Sequence, residues 1–576
     1  MTDINLPSDH GSLLRAARGL EPADLVLKGG LVVNVFTGET EAADLAVKDG
    51  LIVGLGRYDG LTVRDVSGLY LAPGLIETHL HLESALVAPG ELAGILVPRG
   101  TTALVADPHE IANVLGLRGI RFLLDASAGL PLDFFFMAPS CVPATHLETS
   151  GAELEAEDLR TLLAEPRILG LAEVMNFPGV INGLPRVWDK LALFARRPID
   201  GHSPGLNGPD LNAYLLPGIA TEHETTTLAE GREKLARGLR LFIREGSQAR
   251  NLADLLPLVN DHNYRRLSFC TDDRHLDDLL GEGHLDHVLR KAVRHGLPAM
   301  KAVTMATLNA AEAFGLRRRG ALAPGWRADV VVFESLESFQ VREVYKDGRL
   351  AARRGALTVP APRIEPPDWI SPMNVAVLDR AALDLPAAGA RVRVIEAADA
   401  QVVTGHSILE TPARNGRLVA DPDRDLARLL VVERHRGTAR VGQGLVRGFG
   451  FNQGAMASSV AHDSHNIVAA GMSLDEIILA VDTVRRLRGG LAVVAGERVL
   501  ASLALPLAGL MSPAPAAEVA AGLARLEAAA VEIGCRLKAP FMCLSFLALP
   551  VIPRLKLTDR GLVDVDKFEF VRLFVE

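Results

Sequence analysis

Residues 73 to 315 alternate short apolar segments with stretches of helical periodicity, and this alternation constrains the fold more than any other feature of the 576-residue chain. Alternating β and α segments predict a parallel sheet, because each helix carries the chain back across the sheet to the start of the next strand. The predicted strands end in LIETHLH, TTALVADPH, DFFFMAPS, ILGLAEV, PIDGH, IATEH, LRLFIREG and LSFCTDD. Eight such units predict a (β/α)8 barrel of the TIM type.

Strand-rich segments flank this region on both sides. Residues 1–72 begin with a short helical arm and continue, like residues 316–358, with β-branched runs punctuated by Gly and Asp, which is typical of β-hairpins. We therefore predict one small β-sandwich module into which the barrel, residues 73–315, is inserted. A Pro-rich stretch opens residues 359–576, which we predict to form a separate C-terminal α/β domain. The predicted fold class is α/β.

The composition excludes several classes of protein. Hydrophobic residues make up 48% of the chain, so it has ample apolar surface for folded cores. A formal net charge of −9 and an aromatic content of 5% argue against nucleic acid as a partner. No apolar run reaches the roughly 18 to 20 residues of a membrane-spanning helix, and the four cysteines form no CxxC pair. We expect a cytoplasmic homo-oligomer, a dimer, that binds neither nucleic acid nor membrane.

Histidines stand at the ends of four predicted barrel strands, the first, second, fifth and sixth, where the active sites of such barrels lie. His79 and His81 occupy alternate positions on the first strand and therefore share a face, on which two imidazoles can hold one divalent ion. His202 and His223 follow the fifth and sixth strands and would supply nitrogen ligands to a second ion. For each histidine taken alone, a structural hydrogen bond is the favoured interpretation. Their shared location favours a metal site.

Carboxylates are expected to complete this site, since two neighbouring cations repel and need a bridging anion. A carboxylated lysine on the fourth strand is one known solution, but no lysine lies between Lys48 and Lys190. Glu173, at the end of the fourth strand, is the natural replacement; its alternative is a solvent-facing glutamate at a helix start. Asp272 ends the eighth strand and is expected to bind metal and transfer a proton. Asp273 is expected to be structural, with capping of the next helix as its alternative role.

Other polar residues have more than one interpretation. Asp107, His109 and Glu110 belong to a DPHE turn that either orients substrate and supports the metal ligands or is a rigid structural turn. Arg244 and Glu245 either contact substrate or pair with each other. The segment GFGFNQGAMASSVAHDSHNI either closes over the barrel mouth as a lid or is a buried, turn-rich segment. Its candidate substrate-binding residues are Ser458, Ser459, His462, Asp463 and His465.

Segments spread over nearly the whole chain resemble the bacterial adenine deaminases of the amidohydrolase superfamily. The most specific are DPHEIANV, TDDRHLDDL and SSVAHDSHNI, and they are joined by PGLIETHLHLESA, LAEVMNFPGVI, GHSPGLNGPDLNAYLLPGIATEHETTT and LALPVIPRLKLTDRGL. The departures are small: ESA stands where this family often has ESS, and TEHE where SDHE is common. Neither departure touches a proposed metal ligand.

The resemblance implies hydrolytic deamination of adenine to hypoxanthine and ammonia in purine salvage, by a metal-bound hydroxide that attacks C6. It implies two divalent ions, manganese or iron in preference to zinc. The family's metal ligands carry over onto His79, His81, Glu173, His202, His223 and Asp272, and its catalytic roles onto Glu173, Asp272 and Asp107. The other base-deaminase design places HxE and PCxxC around one zinc; His81-Leu-Glu83 matches its first half, but the chain has no PCxxC.

Two alternatives remain open on the sequence. The chain is compatible with another hydrolase of the same superfamily that acts on a cyclic amide or an N-acetyl sugar. It is also compatible with a metal-free scaffold that retained the barrel, although such a protein should have lost metal ligands. Release of ammonia from adenine distinguishes the first alternative, and the metal content of the purified protein distinguishes the second.

Overall fold

The central unit of the structure, a computed structural model that describes residues 10–399 and 402–575, is an eight-stranded parallel barrel. Neighbouring strands follow the order of the sequence. They are Leu75–Leu80 (β1), Thr101–Ala106 (β2), Asp133–Ala138 (β3), Ile168–Val174 (β4), Ile199–Gly201 (β5), Thr221–Glu222 (β6), Arg240–Arg244 (β7) and Leu267–Cys270 (β8). Just past β8, the backbone N–H of Asp272 donates to the carbonyl of His79 at 2.9 Å and brings the last strand to the first. The predicted α/β fold class is confirmed.

The barrel is filled by side chains and leaves no central pore. Alternate residues of a strand point to opposite faces. Phe134 therefore packs in the layer between strands and helices, whereas Phe135 and Met137 pack in the interior with Val105 and Phe242. A filled interior leaves the carboxyl-terminal mouth of the barrel as the place for a site.

Helices follow the strands and cover the outside of the barrel. They begin where the local sequence supplies caps, as at Thr227, whose hydroxyl accepts a hydrogen bond from the backbone N–H of Glu230 at 3.3 Å. The helices of this region are Pro89–Leu96, His109–Leu115, Leu117–Ala126, Ala156–Arg160, Phe177–Ile181, Pro185–Leu193, Gly208–Leu215, Leu228–Ala236, Leu252–Leu255, Leu276–Gly281, Leu285–Arg294, Ala299–Met305 and Leu308–Ala313.

A nine-stranded sheet combines segments from before and after the barrel. Tyr70–Pro73 pairs antiparallel with Val330–Phe333, which joins the two segments in one sheet. The sheet has its own core, which contains Leu27 and Leu45, and the helix His10–Ala17 packs beside it. Its strands are Ala23–Asn34, Glu39–Lys48, Leu51–Gly56, Gly60–Asp65, Tyr70–Pro73, Val330–Phe333, Val341–Lys346, Arg349–Arg353 and Ala356–Leu357. The domain boundaries along the chain stay predictions.

The C-terminal region contains a second nine-stranded sheet between two helices. Helix Leu474–Arg486 packs on one face and helix Ala516–Glu532 on the other. The strands of this sheet are Arg391–Glu396, Gly405–Glu410, Ala427–Val432, Val441–Arg447, Ala455–Ser458, Ile467–Gly471, Gly490–Ala495, Arg498–Ala504 and Phe574–Val575. Smaller elements are the helices Arg380–Leu383 and Pro540–Phe546 and the strands Ala413–Arg414, Arg417–Leu418, Leu555–Thr558, Gly561–Asp564 and Glu569–Phe570.

The C-terminal region packs directly against the barrel. Leu510 and Met511 share a hydrophobic cluster with Leu82 and Val87, which follow β1. The backbone N–H of Ser512 donates to the carbonyl of Leu86 at 2.8 Å. The C-terminal region therefore covers the barrel at its carboxyl-terminal mouth. Among the described residues, no helix has the length and apolar character needed to cross a membrane.

Candidate metal centre and active site

Six side chains at the ends of five barrel strands lie together in one cluster: His79, His81, Glu173, His202, His223 and Asp272. The alternate positions of His79 and His81 place both Nε2 atoms near Asp272 Oδ1, at 3.6 and 3.2 Å. Asp272 has a φ of 54°, a left-handed conformation that aspartate tolerates better than most residues. The turn after β8 thus presents this carboxylate to the histidines of β1.

The carboxylate of Glu173 faces both pairs of histidines. Its Oε1 lies 3.3 Å from His81 Nε2. Its Oε2 lies 2.6 Å from His202 Nδ1 and 3.4 Å from His223 Nε2. The two oxygens of this one side chain, at the end of β4, are therefore directed to different halves of the cluster: Oε1 to the histidines of β1, and Oε2 to His202 and His223.

The cluster has the donor set that a divalent cation requires. His79 Nε2 and both ring nitrogens of His223 are buried and have no hydrogen-bond partner. Burial disfavours the charged imidazole of His202, but the carboxylates of Glu224 and Glu173 outweigh it and raise the pKa of His202 to about 9. A bound cation would take the place of the proton that this raised pKa keeps on His202, because ligand histidines must be neutral and ligand carboxylates ionised. Imidazole and carboxylate together suit first-row divalent ions, so these residues fit a divalent metal site.

Two carboxylates that sequence reasoning missed lie beside the histidines. Asp200 Oδ2 lies 3.0 Å from His79 Nδ1 and 3.8 Å from His223 Nδ1. A carboxylate on the second nitrogen fixes the tautomer and orientation of a metal-binding imidazole. Glu224 Oε1 lies 3.7 Å from His202 Nδ1. The signal was present for Asp200, since it precedes His202 by two positions and therefore shares its face of the strand.

Arg244 and Glu245 do not pair with each other, so that interpretation of the sequence is wrong. Arg244 Nη1 donates to Asp272 Oδ2 at 2.6 Å and Nη2 donates to Glu224 Oε2 at 2.9 Å. Glu245 accepts from Lys291 Nζ at 2.5 Å and lies outside the cavity described below. Consecutive residues at a strand end point to opposite sides, which separates the two. The position of Glu245 does not support the predicted substrate contact.

The DPHE turn links the cluster to the C-terminal region. Asp107 Oδ2 lies 2.9 Å from His109 Nδ1, which in turn lies 3.4 Å from Glu173 Oε1. Glu110, in the first turn of the following helix, is hydrogen-bonded to both His462 and His465. The turn therefore supports Glu173 on one side and anchors the C-terminal region on the other.

Asp273 does not cap the next helix, so this alternative is wrong. Its Oδ1 accepts a hydrogen bond from the Ser84 hydroxyl. Helix Leu276–Gly281 instead starts after His275, which makes no side-chain cap. The side chain of Asp273 thus binds the segment that follows β1, and Asp273 lies at the edge of the cluster.

The five C-terminal candidates divide into two groups. His462 and Asp463 line the same cavity as the metal-site residues. Ser458 donates to the carbonyl of Val460 at 2.8 Å, and Ser459 donates to that of Gly509 at 2.7 Å. These two serines and His465 do not line that cavity, so their positions do not support substrate contact. The segment is buried, as one interpretation of the sequence predicts. Two of its side chains also enter the cavity at the barrel mouth, which the lid interpretation predicts.

The active-site cavity, about 710 Å³ in volume, lies between the barrel mouth and the C-terminal region. Its polar side carries His81, Glu173, His202, Arg244 and Asp272. Its apolar side comes from the C-terminal region and was missed on the sequence: Phe546, Leu549, Val551 and Ile552. The volume lies within the range of small-molecule sites, and an apolar wall opposite a polar one suits a flat heterocycle.

The fold and this site define a metal-dependent hydrolase of the amidohydrolase class, and the model of the "Amidohydrolase family" matches residues 70–351. The model of the "Adenine deaminase C-terminal domain" matches residues 401–569. The chain belongs to the adenine deaminase family. It is 48% identical to the adenine deaminase of Desulfatibacillum aliphaticivorans over 98% of this chain and 99% of that protein. It is 47% identical to adenine deaminase 2 of Carboxydothermus hydrogenoformans over 97% of this chain and 98% of that protein.

Among solved structures, a β-aspartyl dipeptidase from Fervidobacterium islandicum AW-1 matches with a TM-score of 0.45 and 16% identity, over 58% of this chain and 98% of that one.

Proposed function

We propose that this chain hydrolyses adenine to hypoxanthine and ammonia. Membership of the adenine deaminase family supports the substrate. The observation that carries the chemistry is the Glu173 carboxylate, which faces two histidine pairs in the cavity between the barrel mouth and the C-terminal region. Hydrolytic deamination needs an activated water and a proton carrier; a metal held by these residues would supply the first and a carboxylate the second.

The proposal includes two divalent ions, manganese or iron in preference to zinc. His79, His81 and Asp272 would hold one ion, His202 and His223 the other, and Glu173 both. The buried, partnerless nitrogens of His79 and His223 support this division. A bound divalent ion acts as a Lewis acid and lowers the pKa of water towards neutrality.

The side chains around the cluster divide the remaining work. Glu173 and Asp272 receive the proton of the attacking water and deliver it to the amino group at C6, so that a C–O bond forms and the C–N bond breaks with release of ammonia. Burial opposes ionisation of Asp272, but the Arg244 guanidinium outweighs it and holds the pKa of this carboxyl well below its usual value. Asp107 acts through His109, which it orients against Glu173.

The biological setting is proposed as purine salvage in the cytoplasm by a homodimer that binds no nucleic acid. All four cysteines, Cys141, Cys270, Cys535 and Cys543, are free thiols, which suits a reducing compartment. The net charge of −9 disfavours a polyanionic partner. Light scattering of the purified protein tests the dimer.

The test is ammonia release by protein that has been stripped of metal and reloaded with Mn²⁺, Fe²⁺ or Zn²⁺. The panel contains adenine, guanine, cytosine, a cyclic amide and an N-acetyl sugar. We expect ammonia and hypoxanthine from adenine, with two ions bound per chain and higher turnover with manganese or iron than with zinc. Opening of the cyclic amide, release of acetate, or metal content near zero in active preparations would contradict the proposal.

A further inference from the structure

Asp463 reaches the active-site cavity from the C-terminal region, in the loop between strands Ala455–Ser458 and Ile467–Gly471. Its side chain is 5% exposed, and its Oδ2 has no hydrogen-bond partner. A buried acceptor without a partner costs free energy unless a ligand supplies the donor. Asp463 Oδ2 is therefore a place where a bound molecule gains affinity from an N–H or O–H group.

The surroundings of Asp463 narrow the choice of ligand group. Among the described residues that line the cavity, three buried polar atoms lack a partner: Asp463 Oδ2, Asn251 Oδ1 and the donor Arg244 Nε. Asp463 is the carboxylate among them and, like Phe546, Leu549 and Ile552, it enters the cavity from the C-terminal region. A molecule whose donor meets Asp463 therefore lies against the part of the cavity that the C-terminal region forms, which also carries these apolar side chains.

Asp463 and Glu173 line the same cavity and contact opposite nitrogens of His109. Asp463 Oδ1 lies 3.9 Å from His109 Nε2, and His109 Nδ1 lies 3.4 Å from Glu173 Oε1. The His109 imidazole therefore lies between the two carboxylates, and a molecule that fills the cavity meets both of them. A purine whose C6 is at Glu173 points its five-membered ring away from the cluster, and that ring carries the N–H of the free base.

We propose that Asp463 is a specificity-determining residue whose carboxylate accepts a hydrogen bond from the imidazole-ring N–H of the purine. This inference rests on the proposed function. A base alkylated or glycosylated at N9 has no such N–H, and its substituent would fall where the carboxylate and Phe546 stand. Asp463 therefore selects the free base against its N9-substituted forms.

The charge state of Asp463 supports this role. Burial raises the pKa of Asp463 to about 6. The charge of His109 lowers this pKa and the negative charge of Glu110 raises it, but burial is the largest effect. The carboxyl group is therefore mainly ionised at neutral pH and is an acceptor when the base enters. Charge-assisted hydrogen bonds of this kind are the stronger ones.

The test compares adenine with 9-methyladenine in the metal-loaded wild type, Asp463→Ala, Asp463→Asn and the neighbouring control Ser464→Ala. We expect kcat/KM of the wild type to favour adenine by a factor on the order of 10³. Asp463→Ala should lower kcat/KM for adenine by roughly 10- to 100-fold and leave that for 9-methyladenine unchanged or higher, because it also makes room. Asp463→Asn keeps one acceptor oxygen, and its kcat/KM for adenine should fall between those of the wild type and Asp463→Ala. Ser464→Ala should keep the wild-type ratio.

Equal losses for both bases in Asp463→Ala and Asp463→Asn would overturn the inference, because a structural or proton-transfer role lowers both alike. A wild type that deaminates both bases equally well would also overturn it. These results leave the deamination of adenine intact and so are distinct from failure of the proposed function. A metal-loaded wild type that releases no ammonia from adenine overturns the proposed function and this inference together. Circular dichroism and metal content show whether each variant folds, and Asp463→Asn preserves the side-chain shape.

Discussion

Glu173 connects three strands of the barrel through one carboxylate. Its oxygens lie near His81 of the β1 end, His202 of the β5 end and His223 of the β6 end, and its side chain is 4% exposed. A buried carboxylate in this position is stable because positive charge surrounds it, whether carried by protonated imidazoles or by cations. Burial opposes its ionisation, but His202, His223 and His81 outweigh burial and hold the pKa of Glu173 well below its usual value.

Replacing Glu173 by Gln should remove most of the activity while the fold persists. The amide has the same shape but neither the negative charge that holds two cations nor the ability to carry a proton. We expect turnover of adenine to fall by at least about 100-fold and the metal content to fall below two ions per chain. Glu165→Gln, at a partly exposed glutamate before β4, is the matched control and should behave as wild type. Near-normal turnover in Glu173→Gln would exclude the proposed role.

The strand Leu555–Thr558 holds the wall of the active-site cavity through one buried lysine. Lys556 Nζ donates to the carbonyls of Val402 and Phe546, both at 2.9 Å, and these two residues line the cavity. Burial lowers the pKa of Lys556 to about 7. The same element therefore supports the site and makes the stability of the fold depend on pH.

Stability should rise with pH above neutrality on account of Lys556. In the unfolded chain a lysine holds its proton up to about pH 10.4, whereas in the fold Lys556 loses it near pH 7. Between these values the unfolded state binds more protons, so the free energy of unfolding increases by up to about 1.4 kcal/mol per pH unit. Denaturant unfolding at pH 7.5 and 9.5 should show this increase relative to Lys556→Met. The exposed Lys567→Met should follow the wild type; equal pH dependence in Lys556→Met would contradict the lowered pKa.

Buried polar contacts join the barrel and the C-terminal region in addition to their shared hydrophobic cluster. Asp559 accepts hydrogen bonds from the backbone N–H and the hydroxyl of Thr149, at 2.9 and 2.7 Å. Glu110 of the barrel binds His462 and His465. These contacts fix how far Asp463 and Phe546 extend over the barrel mouth, and so they set the shape of the cavity.

Loss of Asp559 should weaken the whole molecule. Asp559→Ala leaves the buried N–H of Thr149 and the proton of its hydroxyl without their acceptor, each at a cost of about 1–3 kcal/mol; the hydroxyl oxygen still accepts from Arg440. We expect the thermal midpoint of unfolding to fall by about 2 to 5 °C, as measured by calorimetry. Asp566→Ala, at a carboxylate that is 55% exposed, should change it little. An unchanged midpoint in Asp559→Ala would show that the two regions do not depend on this contact.

The barrel could be predicted from the sequence because its signals are local. The eight strand ends, the alternate positions of His79 and His81, and the glutamate at the end of β4 are each contained within a few consecutive residues. The helices of the C-terminal region, Leu474–Arg486 and Ala516–Glu532, were equally readable from their periodicity. Asp200 has a signal of the same local kind, since it stands two positions before His202.

The sequence alone thus determined the fold class and the residues available for chemistry, because strand periodicity and strand-end polarity are properties of short segments. Only the tertiary structure decided which of these residues meet. Glu110 contacts His462 across 352 positions, and the apolar wall around Phe546 faces the barrel mouth, through domain packing that no local pattern encodes. Tertiary structure also separates Arg244 from Glu245. Neighbouring residues on a strand point to opposite sides, so Arg244 pairs with Asp272 and Glu245 with Lys291.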